Sequence, residues 1–177
     1  MRYVIFLRGI NVGNLRIKMV DLKETVEAEG YKNVHTILQS GNIVLESDKS
    51  SNYIKQNLEN VISQRFNYDA KLQILSFEKL NNIINDYPFD EKPGFHKYVI
   101  FFENNLDLDA LKDIQNLALE DEYLAHGDSV IYWQIEKGHT LTNDFAKLLN
   151  KTKYKKFNTN RNMNTIKRIV SLDSSET

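Results

Sequence analysis

The chain has 177 residues and a formal net charge of −1, with 41% hydrophobic and 27% charged residues, as expected of a globular protein with a sizeable core. It contains no cysteine, which excludes disulfides, thiolate nucleophiles and cysteine-ligated metal clusters. No apolar run approaches the ~20 residues that span a bilayer, and Tyr3–Leu7 is too short for the core of a signal peptide. We therefore expect a cytoplasmic protein without membrane contact.

The first half of the chain predicts a ferredoxin-like βαββαβ unit, because apolar residues alternate at strand spacing and helix spacing in that order. The predicted elements are a strand at Val4–Leu7, a helix from Met19 that ends before Gly30, strands at Val34–Leu38 and Ile43–Leu45, a helix at Ile54–Phe66 and a strand at Leu72–Leu75. A short helix at Phe77–Asn85 then leads to the only two prolines, Pro88 and Pro93.

The second half runs in the same order, as a related βαββα unit followed by a basic tail. Its predicted elements are a strand at Tyr98–Phe102, a helix at Leu108–Ala118, strands at Glu122–Ala125 and Val130–Ile135, a helix at Leu141–Leu149 and a C-terminal helix at Asn164–Leu172. The fourth strand is either missing or replaced by the tail. We expect an α+β fold of two units, residues 1–90 and 91–177, in one chain.

Charge is unevenly distributed along the chain. Met1–Val20 and Phe145–Leu172 carry basic residues and no Asp or Glu. The two basic ends are suited to converge on an anion. The alternative for the lysine-rich end is a solvated tail that binds nothing.

The loop Arg8–Gly13 joins the first strand to the first helix. Glycines at such a junction let the backbone turn sharply, and free N–H groups there can bind anions. Arg8 adds a cation suited to phosphate or carboxylate, and Asn11 and Gly13 shape the loop. The alternative is a plain turn in which the glycines serve backbone geometry and Asn11 caps.

Two further polar segments are candidates. Gln39–Asn42 is a hairpin turn, and in a βαββαβ unit the third strand lies beside the first, which places Asn42 near Arg8. Thr159–Lys167 crowds amide and guanidinium side chains ahead of the last helix, where anions are attracted. The alternatives are an ordinary hairpin loop and a capping cluster on a surface loop.

Other chemistry finds little support in the sequence. The four histidines are scattered without metal-ligand spacing, so we predict no metal site. The acidic run Glu120–Glu122 is typical of solvated surface. No catalytic residue, cofactor or oligomeric state is indicated, and the sequence does not decide whether the protein is an enzyme.

Three motifs together resemble the bacterial domain-of-unknown-function 1697 family. They are Phe6–Gly13 with Lys18, the turn Gln39–Asn42, and Arg161-Asn162-x-Asn164-Thr165 with Lys167. The resemblance implies an α+β fold with a ferredoxin-like first unit and implies no established activity. Met163 stands where the family usually has Trp, and it suits a similar apolar slot.

Our leading hypothesis is a site where the three motifs meet and bind a small anionic ligand, such as a nucleotide or another phosphorylated metabolite. The candidate ligand-binding residues are Arg8, Asn11, Gly13, Lys18, Ser40, Asn42, Arg161, Asn162, Asn164 and Lys167. One alternative is nucleic-acid binding by the Lys151–Lys156 cluster with Tyr154 and Phe157 interleaved. Another is a protein-interaction module without a ligand.

Overall fold

The computed structural model describes residues 1–11, 13–103, 108–117, 119 and 121–172. Val12, Ala118 and Glu120, which the sequence analysis used, lie outside these ranges, as do the side chains of Leu108, Leu111 and Lys153. Within the described part, the chain forms two compact units that divide between Asn82 and Ile83, ahead of the boundary expected after residue 90. Arg168 to Leu172 group with the first unit.

The first unit has the predicted ferredoxin-like order. Its elements are β1 (Arg2–Arg8), α1 (Met19–Ala28), β2 (Lys32–Ile37), β3 (Asn42–Glu46), α2 (Ser51–Phe66) and β4 (Lys71–Ser76), with α3 (Phe77–Asn85) following β4. The strands form one antiparallel sheet in the order β2-β3-β1-β4. The α+β class and this strand arrangement confirm the fold expected from the sequence.

The core of the first unit lies between one face of this sheet and its two helices. Alternate residues of β1 (Tyr3, Ile5 and Leu7) are buried with Leu22 and Val26 of α1 and with Ile54, Leu58 and Ile62 of α2. Helix spacing places each of these helical residues on one stripe. Helix α2 begins where the Ser50 hydroxyl accepts a hydrogen bond from the Tyr53 amide, and it ends at Asn67 in the left-handed conformation.

The second unit repeats the arrangement. Its elements are β5 (Phe95–Phe102), α4 (Leu108–Gln115), β6 (Glu122–Gly127), β7 (Val130–Glu136), α5 (Asp144–Leu149), α6 (Thr152–Lys155) and β8 (Asn158–Asn162). The last helix, α7 (Met163–Ser171), begins in this unit, and its residues from Arg168 group with the first. The sheet order β6-β7-β5-β8 matches that of the first unit. The tail therefore supplies the fourth strand: β8 pairs with β5, from Tyr98 opposite Asn162 to Phe102 opposite Asn158.

Three local expectations are wrong. Leu38 was expected on the second strand but follows its end, in a turn with φ +58. Leu141 was expected inside a helix but is 83% exposed, because α5 begins only at Asp144, where Asn143 caps it. Glu122 was expected on solvated surface but is buried, because the alternation of β6 turns it inward opposite Ile135.

Buried Tyr31 and partly buried Tyr68 of the first unit differ in whether their hydroxyls are hydrogen-bonded. The Tyr31 hydroxyl donates to Asn57 Oδ1 at 2.7 Å, whereas the buried Tyr68 hydroxyl has no hydrogen-bond partner among the described residues. Burial raises the pKa of both side chains to about 12. Both rings pack on the same hydrophobic core.

We expect Tyr68→Phe to leave the free energy of unfolding unchanged or raise it by about 1 kcal/mol, because it removes a desolvated hydroxyl that gains no bond. Tyr31→Phe, the matched control, should lower it by about 1 kcal/mol because a hydrogen bond is lost. Urea denaturation of the two variants measures both effects. Equal destabilisation by the two substitutions would contradict the difference in hydrogen bonding.

Candidate functional site

The strand register of the first sheet places the first two polar motifs together. Phe6 of β1 lies opposite Asn42 of β3, so the loop after Arg8 leaves the sheet beside the turn that enters β3. The amide of Leu7 donates to the carbonyl of Gly41 at 2.9 Å. The predicted proximity of the Arg8 loop and the Asn42 turn is therefore confirmed.

Asn11 ties the loop to its surroundings with both ends of its amide group. Its Nδ2 donates to the carbonyl of Gln39 at 2.6 Å, and its Oδ1 accepts from the amide of Ile17 at 2.8 Å. One side chain thus joins the Arg8–Gly13 loop, the turn before β3 and the segment that enters α1. We call this arrangement the Asn11 clamp.

The loop backbone alternates in handedness. Gly9 and Asn11 have φ +67 and +55, whereas Ile10 between them is not left-handed. Alternation of this kind turns successive N–H groups toward one side and forms a concavity that suits anions. Gly41 lets the turn approach closely, because a Cβ there would lie 2.7 Å from Ile10 Cγ2 and 2.8 Å from Leu7 Cβ.

Three cationic residues lie on the elements that the clamp joins or on the strand beside them. Arg8 lies directly opposite Lys71 across the β1–β4 pairing. A hydrogen bond to Asp69 raises the pKa of Lys71, and the charge of Arg8 opposes that effect. Lys18 is exposed at the N-cap position of α1 and makes no side-chain cap. Like charges on paired strands repel, so an anion bound beside them would lower the free energy of the folded state.

The remaining predicted residues of these turns have structural contacts. Asn42 is fully buried, and its Nδ2 donates to the carbonyl of Ile37 at 2.8 Å and to Ser40 Oγ at 2.9 Å. Gly13 is exposed, and its carbonyl accepts from Arg16 Nη1 at 2.9 Å. Asn42 and Arg16 therefore hold the turns in shape, while Ser40 stays at the surface.

The third motif belongs to the second unit. Arg161 is buried in β8, where burial lowers its pKa to about 10, and its Nη1 donates to Thr159 Oγ1 and the Asn160 carbonyl, both at 2.8 Å. Asn162 Oδ1 accepts from the amide of exposed Asn164 at 2.8 Å, at the start of α7. The surface-loop expectation is wrong for Arg161 because the tail pairs as a strand.

Lys167 and Met163 of this segment also have contacts or burial within the protein. Lys167 Nζ lies 3.6 Å from Glu91 Oε1, and the apolar side chain of Met163 is buried. Through its bond to the Asn164 amide, Asn162 caps the start of α7, which agrees with the alternative of a capping cluster. That this segment meets the two turns of the first unit stays a prediction.

Only one of the two aromatic residues of the Lys151–Lys156 cluster, Phe157, is exposed for nucleic-acid binding. Tyr154 is buried and its hydroxyl donates to Asp113 Oδ2 at 2.7 Å, so its ring is not available for stacking on bases. Phe157 is 47% exposed. Nucleic-acid binding by this cluster stays an untested alternative.

Sequence reasoning missed Lys71 as a neighbour of Arg8. In the βαββαβ order the fourth strand runs antiparallel beside the first, so its first residue meets the last residue of β1. The predicted strand began at Leu72, one residue too late to include Lys71. Extending the predicted fourth strand by one residue, to Lys71, would have placed Lys71 opposite Arg8.

The family model described as a protein of unknown function (DUF1697) matches residues 1–132. The chain belongs to this family. The match includes both turns of the clamp, and the Arg161–Lys167 motif lies beyond the matched residues.

Among solved structures, the chain is similar to the conserved bacterial protein SP0830 from Streptococcus pneumoniae. The two share 26% sequence identity with a TM-score of 0.82, over 97% of each chain. No curated protein matches the sequence. The structural likeness agrees with the two-unit α+β fold and assigns no activity to this family member.

In the described ranges of the chain, none of the helices has the length and apolarity to cross a membrane. In the same part of the chain, no three His, Asp or Glu side chains are grouped so that they could hold a metal ion.

Proposed function

We propose that this DUF1697 protein binds a small phosphorylated ligand, such as a nucleotide or a phosphorylated metabolite, at the Asn11 clamp. The Asn11 clamp itself carries the proposal: its two hydrogen bonds join a glycine-containing loop, a hairpin turn and the entry to α1. Arg8 begins this loop, Lys18 lies at the N-cap position of α1 and Ser40 lies in the hairpin turn, so these segments carry two cations and a hydroxyl. These groups and backbone amides are what phosphate oxygens bind in proteins.

The roles of the residues follow from their places. Arg8 supplies a planar guanidinium that can donate two hydrogen bonds to a phosphate, and Lys18 adds charge at the start of α1, where the helix dipole also favours anions. Ser40 donates from the opposite turn. Asn11 and Asn42 fix the turns, since their amide groups bond to the protein.

The proposal is one of binding. The loop Arg8–Lys18 and the turn Leu38–Asn42 contain no His, Asp or Glu that could act as a general base. Any turnover at the clamp would depend on positioning of the ligand and electrostatic stabilisation. A bacterial origin and a cytoplasmic location belong to the same proposal, supported by the bacterial relative and the lack of cysteine.

We expect Arg8→Ala to weaken the binding of AMP about tenfold or more, because a hydrogen bond to a charged group contributes ~1.5–3 kcal/mol. Thermal shift with AMP measures this, since a ligand at about 100 times its Kd stabilises by roughly 2.7 kcal/mol. Arg65→Ala is the matched control: Arg65 is an exposed cation of the same unit, in the last turn of α2.

The expected result is a strong shift for wild type and Arg65→Ala and a much smaller one for Arg8→Ala. An equal loss in both variants would show only a general effect of charge. An equal shift in all three proteins would place the ligand elsewhere and defeat the proposal.

A further inference from the structure

Leu38 adopts a backbone conformation that leucine rarely takes. Its φ is +58, and the other described non-glycine residues at positive φ are all Asn, Asp or Ser. Those types tolerate the left-handed region because their short polar side chains bond locally. The Leu38 side chain is also 42% exposed. Neither backbone preference nor burial in the core therefore accounts for a leucine at this position.

Contacts on both sides hold Leu38 in this conformation. The carbonyl of Ile37 accepts from Asn42 Nδ2 at 2.8 Å, and the carbonyl of Gln39 accepts from Asn11 Nδ2 at 2.6 Å. Strained residues persist where the surrounding structure determines them, and they are concentrated at ligand sites. The strain here presents an apolar side chain on the same turn as Ser40, next to the Asn11 clamp.

We infer that the ligand of the Asn11 clamp is a nucleoside phosphate whose base packs on Leu38, an inference that rests on the proposed function. The cations and backbone amides of the clamp suit the phosphate and offer no apolar surface on which a base could pack. Leu38 offers the complementary apolar surface. Covering an exposed leucine side chain with a base improves affinity roughly tenfold, from the free energy of burying apolar area.

Isothermal titration with AMP and with ribose 5-phosphate tests this inference, because the two probes share the phosphorylated sugar and differ in the base. The variant is Leu38→Asn, which keeps a residue suited to positive φ and removes the apolar surface. Leu38→Met is the control, because it keeps an apolar side chain of similar volume.

Wild type should bind AMP roughly tenfold more tightly than ribose 5-phosphate. Leu38→Asn should remove that preference and leave the affinity for ribose 5-phosphate unchanged, while Leu38→Met should retain it. Equal affinities of wild type for the two probes, both reduced by Arg8→Ala, would overturn this inference and leave the proposed function standing. If neither probe binds wild type, the proposed function fails and this inference fails with it.

Discussion

Gly41→Ala should be among the most destabilising single substitutions in the first unit, lowering the free energy of unfolding by about 2–5 kcal/mol. At φ +70 any side chain costs ~1–2 kcal/mol. The new Cβ would also lie 2.8 Å from Leu7 Cβ and 2.7 Å from Ile10 Cγ2. Both neighbours are buried, so relief requires the backbone to move, at a further ~1–3 kcal/mol.

Gly13→Ala is the matched control for Gly41→Ala. Gly13 has φ +55, and a Cβ there would meet nothing within 4 Å. Its cost should be the backbone term alone, about 1 kcal/mol. Amide hydrogen exchange of Leu7, which donates to the Gly41 carbonyl, reports on the first unit directly.

Similar loss of protection in the two glycine variants would show that the close approach of Gly41 to Ile10 does not matter. A larger loss for Gly41→Ala confirms that the loop and the turn are packed as one piece. That packing is what fixes Ser40 relative to Arg8.

The second large effect is expected in the second unit, at buried Glu122. One carboxylate oxygen, Oε2, accepts from Trp133 Nε1 at 2.7 Å and from Asn143 Nδ2 at 2.6 Å. Asn143 in turn caps α5 through its Oδ1, which accepts from the Ala146 amide at 3.1 Å. The carboxylate thus connects β6, β7 and the start of α5.

Glu122→Ala should lower the free energy of unfolding by about 3 kcal/mol, because it leaves the buried Trp133 donor and the partly buried Asn143 donor without an acceptor at ~1–3 kcal/mol each. Glu122→Gln is the control, since a carbonyl oxygen in the place of Oε2 can accept both bonds. Denaturation followed by the fluorescence of Trp133, the only tryptophan, reports on this unit.

The same pair of proteins gives a pH dependence. Burial raises the pKa of Glu122 above its ordinary value, against the opposing effect of the Trp133 hydrogen bond. The folded state therefore favours the protonated form, and wild type loses stability as pH rises from the unfolded pKa through the folded pKa. Glu122→Gln should match wild type at acid pH and become the more stable protein toward neutral pH. A constant difference across that range would contradict the raised pKa.

Much of the fold could be predicted because hydrophobic spacing determined it locally. Buried strand β1 and the stripe of α2 follow directly from apolar periodicity, and the order of elements then selects the sheet order. Strand β8 is different. Its sequence, Asn-Thr-Asn-Arg-Asn, has weak strand propensity, and it pairs because the edge of β5 is open to it.

Only part of the candidate site could be predicted from the sequence, because some of its features depend on tertiary contacts. Proximity of the Arg8 loop and the Asn42 turn follows from topology. Other features depend on tertiary contacts that no local pattern encodes. In the site these are the two hydrogen bonds of Asn11 and the left-handed turn at Leu38, and outside the site the inward carboxylate of Glu122. Alternation predicted a strand through Leu38, but the bonded neighbours of that residue end the strand one position earlier.

The most direct test of the Asn11 clamp as a phosphate site is a titration of ¹⁵N-labelled protein with AMP, followed through the amide signals of the seven glycines. Gly9, Gly13 and Gly41 lie in the clamped turns, and Gly30, Gly94, Gly127 and Gly138 lie elsewhere in the sequence. If AMP binds at the clamp, the first three signals should move together and saturate while the other four stay in place. Saturable shifts confined to those four, or no shift in any glycine at millimolar AMP, would contradict it.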